Sequence, residues 1–138
     1  MKILIDTNVI LDFFLSREPY FAEAKQLFEI IRKEEIEAFT TASSITDIYY
    51  IVAKRQGKDF ARGTIMRLIA VFGIITVSGE DCSDALHLPF EDFEDALITV
   101  CAKKEDMSFI ISNDSKFIQI DSQLATVVSS HDFINRLG

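Results

Sequence analysis

The chain has no tryptophan and only two prolines, five glycines, two cysteines and two histidines in 138 residues. So little glycine and proline excludes a collagen-like or linker-like chain. Cys82 and Cys101 form no CxxC pattern, which predicts free thiols rather than a disulfide or a zinc site. His87 and His131 are isolated in sequence and predict structural or surface roles. Long apolar runs are missing too. The longest, residues 69–77, falls short of the ~20 residues a membrane helix needs. The apolar run before Asp6 is only Ile3, Leu4 and Ile5, so no signal peptide is expected, and the chain reads as soluble and cytoplasmic. Positive charge is scarce: 14 Lys and Arg stand against 22 Asp and Glu, a net charge of −8. Such a chain repels nucleic acid on average, so a nucleic-acid partner would need a local basic patch or a bound cation.

What is present is ordinary core material. Hydrophobic residues make up 49 % of the chain, twelve of them Phe, and charged residues 26 %. That content excludes disorder and suits a single domain over residues 1–138 with one core. Short apolar runs bounded by polar residues predict strands over 2–5, 36–40, 74–77, 109–111 and 126–128. Helical periodicity predicts helices over 8–15, 20–33, 58–72, 80–88, 91–104 and 131–137, with another beginning at a Ser43 or Ser44 cap. Strands alternating with helices imply an α/β domain with a mainly parallel sheet. Such sheets bind ligands at the carboxyl ends of their strands, where the polar stops at Asp6 and at Ser112, Asn113 and Asp114 fall.

Four acidic positions deserve weighing. Asp6-Thr7-Asn8 follows a buried strand, although Asp is also a common helix cap. Asp95 lies in a helix beside the apolar Ala96, Leu97 and Ile98, with Asp92 on the same face. Glu91, Asp92, Glu94 and Asp95 also suit the dipole of a solvated first turn. Asp114 follows another buried strand, and would serve equally as a turn cap with Ser115. Ser44-Ile-Thr-Asp47 has capping-box spacing. Asp12, on the first helix, reads as a surface residue. Taken together, carboxylates gathered at one sheet edge raise each other's pKa unless a cation offsets them. Mg²⁺ or Mn²⁺ suits oxygen donors, whereas zinc is disfavoured without a Cys/His cluster.

Asp6-Thr7-Asn8 after an apolar strand, Asp95-Ala-Leu-Ile98 on a helix, and Ser112-Asn-Asp114 followed by Phe117 resemble the PIN domain, in order and spacing over nearly the whole chain. The resemblance implies a three-layer α/β/α fold with a mainly parallel central sheet flanked by helices. It implies a Mg²⁺ or Mn²⁺ site and hydrolysis of single-stranded RNA. Asp6, Asp95 and Asp114 would hold the metal, and Asp47 would be a ligand or orient the water. Asp92, Thr7, Asn8, Ser112 and Asn113 would assist. Asp47 departs from the family, whose acid at this place is usually Glu. Many stand-alone bacterial and archaeal members are VapC-like toxins held inactive by an antitoxin, and small members commonly form homodimers.

Rivals fit less well. A receiver-type signalling domain wants an adjacent acidic pair after its first strand, which Ile5-Asp6-Thr7 lacks. A haloacid-dehalogenase-like phosphatase wants Asp-x-Asp, where this chain has Asn8. A non-catalytic PIN-like binding module remains an alternative because of Asp47. Lys54, Arg55, Lys58, Arg62 and Arg67 are candidates for an RNA-binding rim, or for a solvated helix face. Tyr49, Tyr50, Ile51 and Val52 are consecutive and cannot all face one core, so a second copy, an antitoxin segment or another helix of the same domain is expected against this region.

Overall fold

The computed structural model describes residues 1–33, 36–120 and 123–137. Strand β1 (Lys2–Ile5) leads into α1 (Thr7–Phe14) and α2 (Phe21–Arg32). Then come β2 (Glu37–Thr41), α3 (Ala42–Gln56), α4 (Lys58–Val71) and β3 (Gly73–Ile75). Next are α5 (Gly79–Leu86), α6 (Phe93–Lys104), β4 (Phe109–Ile111), α7 (Ser115–Ile118), β5 (Val127–Val128) and α8 (Ser130–Leu137). The strands form one parallel sheet in the order β3-β2-β1-β4-β5. The expected three-layer α/β/α architecture is therefore present.

Alternation along the strands divides the core. Ile3, Ile5, Ala38, Ile111 and Val128 pack on one face against Val9, Leu27, Phe28, Ile48, Leu68 and Phe133. Leu4, Ile75 and Ile110 pack on the other against Ile98, Cys101, Ala102 and Phe117. Ile3, Leu4 and Ile5 are all fully buried, as a central parallel strand with helices on both sides requires. Burial of each such side chain stabilises by about 1.5–3 kcal/mol. At the sheet's edge Gly73 pairs with Phe39, and a Cβ added to it would meet that ring at 2.5 Å, so any larger residue would have to displace the ring.

Strand bounds shift by one or two residues, β3 ending at Ile75 rather than at residue 77, and the further differences from expectation lie at helix starts. Thr41, not Ser43 or Ser44, caps α3: its hydroxyl accepts from the Ser44 amide at 3.1 Å. Ser44 and Asp47 therefore form no capping box. The box occurs instead in α5, where Ser78 and Asp81 exchange both bonds. Helix α7 was expected only as a turn; Asp114 caps it.

Topology also places the site. From β1 the chain winds through β2 to β3 on one side, then returns to β4 on the other side of β1. The direction of winding thus reverses between β1 and β4. A crevice opens at that switch point, outside the carboxyl ends of the two strands. Asp6 follows β1 there, and Ser112 follows β4.

Candidate active site

Asp6 is 5 % exposed and begins α1. Its Oδ1 accepts from the Thr7 amide at 2.8 Å. Its Oδ2 accepts from the Ser112 hydroxyl at 2.7 Å and from Asn8 Nδ2 at 3.2 Å. The Ser112 hydroxyl in turn accepts from the Asp114 amide at 3.1 Å. Donors from both strand ends therefore grip one carboxylate. Burial still raises its pKa, more than Ser112 and Thr7 lower it, and the charges of Asp114 and Asp92 add to the rise.

Asp95 sits in the first turn of α6, 8 % exposed, with its amide held by the Asp92 carboxylate at 3.0 Å. Burial, then the charges of Asp92, Asp6, Asp114 and Glu94, push its pKa up to about 7. A cleft of about 470 Å³ is lined by Asp92, Asp95, Asp114, Lys116 and Phe90 among others. Among the described residues neither Asp6 nor Asp95 has a salt-bridge partner, although Lys116 stands in the same cleft.

Glu94 is the acid that sequence reading missed as a site residue. It accepts from the Thr7 hydroxyl at 3.3 Å, a contact between residues 87 apart in sequence. Burial raises its pKa, followed by the charges of Asp6 and Asp47. The acidic run before Ala96 was the available signal, but nothing in it tells which acids face Thr7. Asp47 is exposed on α3 and joins the group through its field at Glu94.

Asp12 overturns the expectation of a surface residue. It is 3 % exposed, because the loop after β4 and Arg17 close over it. Asn113 donates to it through Nδ2 at 3.4 Å, and the amide of Asn113 donates to Asn8 Oδ1 at 3.3 Å. Lys54, Arg55, Lys58 and Arg62 are exposed and have no ion pair among the described residues. Arg67 instead lies over the Phe14 ring, 5.2 Å from its centroid.

Asp6, Asp95, Asp114, Asp92 and Glu94 thus share one electrostatic field, with Asp47 at its margin. The donors are all oxygen; burial first, then mutual repulsion, raises the pKa of Asp6, Glu94 and Asp95, and none of the three has an ion pair among the described residues. That chemistry fits a hard divalent ion. Among the described residues no three acids already stand together as a ready ligand set, so the fit rests on donor type and charge.

A parallel α/β sheet with buried acids at its switch point defines a class of domain, and the comparisons say which. The chain belongs to the PIN domain family, whose model matches residues 2–116. It is similar to Ribonuclease VapC1 of Aquifex aeolicus, with 31 % identity over 130 residues, covering 91 % of this chain and 90 % of that one. Among solved structures it resembles VapBC2 of Rickettsia felis bound to a promoter DNA fragment, with a TM-score of 0.70 at 15 % identity, covering 94 % and 98 % of the two chains. It also resembles VapC20 of Mycobacterium tuberculosis, a sarcin-ricin loop cleaving toxin, with a TM-score of 0.69 at 19 % identity, covering 83 % and 92 %. The two structural likenesses establish the fold.

Proposed function

We propose that this chain is an endoribonuclease that hydrolyses phosphodiester bonds of single-stranded RNA with Mg²⁺ or Mn²⁺, and that it is the toxin of a toxin–antitoxin pair. The observation carrying this reading is the uncompensated acidic field at the switch point, centred on Asp6 and Asp95. The curated relative named as a ribonuclease, matched over nearly its whole length, supports it.

Asp6, Asp95 and Asp114 would hold the ion. When bound, it would supply Lewis acidity toward a phosphoryl oxygen and positive charge in an otherwise anion-repelling cleft. Thr7, Asn8 and Ser112 orient Asp6 through the bonds that grip it. Asp92 fixes the start of α6 and so the place of Asp95. Asp47 would be a further ligand or orient the water, and Glu94 stands beside Thr7 as an additional oxygen donor. The test is cleavage of a single-stranded RNA with added Mn²⁺. Asp6→Asn keeps size and removes charge, and should lower the rate by about a thousandfold, the several kcal/mol that a lost metal contact represents. Activity unchanged by this variant or by a chelator overturns the reading. RNA binding without any cutting would support the binding module instead.

We further propose that the protein self-associates, because α3 and α4 leave Tyr50, Met66 and Ile69 60–73 % exposed. Sedimentation should show a species twice the chain mass. A single species near 15.6 kDa at every concentration would remove the homodimer.

A further inference from the structure

Behind the acidic cleft lies a polar strut that leads from Asp6 into the body of the protein. Asn8 donates to the Asp6 carboxylate at 3.2 Å and accepts from the Asn113 amide at 3.3 Å. Asn113 is held a second time by Asp12 and a third time by the Ser130 amide, which donates to its Oδ1 at 3.2 Å. Asn113 lies between Ser112 and Asp114, so its three ties set the path of the loop that carries both.

Arg17 closes the strut from outside. Its Nε donates to Asp12 Oδ1 at 2.9 Å, and its Nη2 donates to the Asn8 carbonyl at 3.0 Å. The Arg17 amide also donates to the Asp12 carbonyl at 3.0 Å. One guanidinium therefore spans Asp12 and the backbone of Asn8, using the fixed fork that lysine lacks. Asp12 is nearly inaccessible, and a carboxylate so placed needs both its donors.

We propose that Asp12 and Arg17 are positioning residues for RNA cleavage. Together they lock Asn8 and Asn113, and through these hold the carboxylates of Asp6 and Asp114 in fixed relation across the switch point. The proposal rests on the ribonuclease reading above. Arg17 is not assigned a phosphate contact, because Asp12 already takes its charge and Glu18 lines the same small cleft.

The test uses the intact chain, a defined single-stranded RNA and Mn²⁺. Arg17→Gln and Asp12→Asn should each lower kcat by about ten- to a hundredfold, as lost outer partners of ligands do, with KM within about twofold. Arg17→Lys keeps the charge but cannot reach both partners, so kcat should stay low while thermal stability largely recovers. Wild-type kcat in Arg17→Lys, or a loss confined to KM, overturns the proposal. Nuclear magnetic resonance gives a readout independent of cutting: the side-chain amides of Asn8 and Asn113 and the backbone amide of Asp114 should shift together in every variant. Unmoved resonances overturn the strut even where activity falls. If the wild type cuts no RNA, the ribonuclease reading fails, and a concerted shift still establishes the strut. If Arg17→Gln does not fold, the milder Arg17→Lys and Asp12→Asn decide.

Discussion

Helices α5 and α6 begin alike and end up chemically opposite. Each has an aspartate at the third position of its first turn, Asp81 in one and Asp95 in the other, and both are nearly buried. Asp81 folds back onto the Ser78 amide at 2.9 Å and meets Lys104 at 2.7 Å. The Lys104 bond, then the Ser78 bond, hold its pKa below the usual carboxylate range. Asp95 follows an aspartate cap rather than a serine. Among the described residues its carboxylate receives no hydrogen bond and no cation, and its pKa rises to about 7. A first turn can therefore spend its acid on its own stability or leave it open to a ligand. The two are alike in exposed surface, but Asp81 has a cation and an amide to offset its burial and Asp95 has neither among the described residues.

Replacing the open acid should separate stability from activity most sharply. Asp95→Asn should cost about a thousandfold in Mn²⁺-dependent cleavage, the several kcal/mol of a lost metal contact. The same variant should stabilise the metal-free protein at pH 8. The sign follows from linkage: the native state keeps a proton on Asp95 that the unfolded chain has lost, so stability falls as pH rises from about 4 to about 7. Each unit of raised pKa is worth about 1.4 kcal/mol, so removing the charge should gain roughly 2–4 kcal/mol at pH 8. Thermal unfolding at pH 4 and pH 8 without metal checks this. A stability of Asp95→Asn equal to or below that of the wild type at pH 8 would break the contrast.

The satisfied acid should behave in the reverse way. Asp81→Asn weakens both the helix cap and the pair with Lys104, whose own side chain is 36 % exposed and so partly screened. A loss of about 1–2 kcal/mol in stability is expected, with cleavage unchanged. Urea unfolding and the RNA assay, run on one preparation, give both values. A fall in cleavage without a fall in stability would show that α5 serves the site directly.

The contrast also explains what could be read from the sequence. The apolar run Phe109, Ile110 and Ile111 met a polar stop and proved to be β4 with those bounds. That Asp6, Asp95 and Asp114 come near one another was legible because each ends or borders a buried run. Asp12 was not, since helical periodicity gives its face but not what covers that face. Its cover comes from Asn113, a residue 101 positions away, and from the turn that brings back Arg17. The α3 cap precedes both serines for a local reason: Thr41 ends a strand and also caps, its hydroxyl accepting from the Ser44 amide, donating to the Ser44 hydroxyl and bonding that of Ser43. Glu94 and Asp81 look equally acidic in sequence, and only the long-range partners Thr7 and Lys104 tell them apart.

The smallest expected effect falls on the acid at the site's margin. Asp47 is exposed and meets the group only through its field at Glu94. Solvent screens such an interaction, so Asp47→Asn should lower cleavage by less than about tenfold, below the 10²–10⁴ of a proton-transferring group held in contact. Length should matter as much as charge. The resemblance to the PIN family implies Glu at this place, and Asp47→Glu adds one methylene of reach to the carboxylate whose field acts on Glu94. This variant should cleave at least as fast as the wild type; the formal charge is unchanged, and only a closer approach of that charge should raise the Glu94 pKa further. A loss above a hundredfold in Asp47→Asn would instead place Asp47 among the central acids. A slower Asp47→Glu would show that the shorter side chain is matched to this cleft.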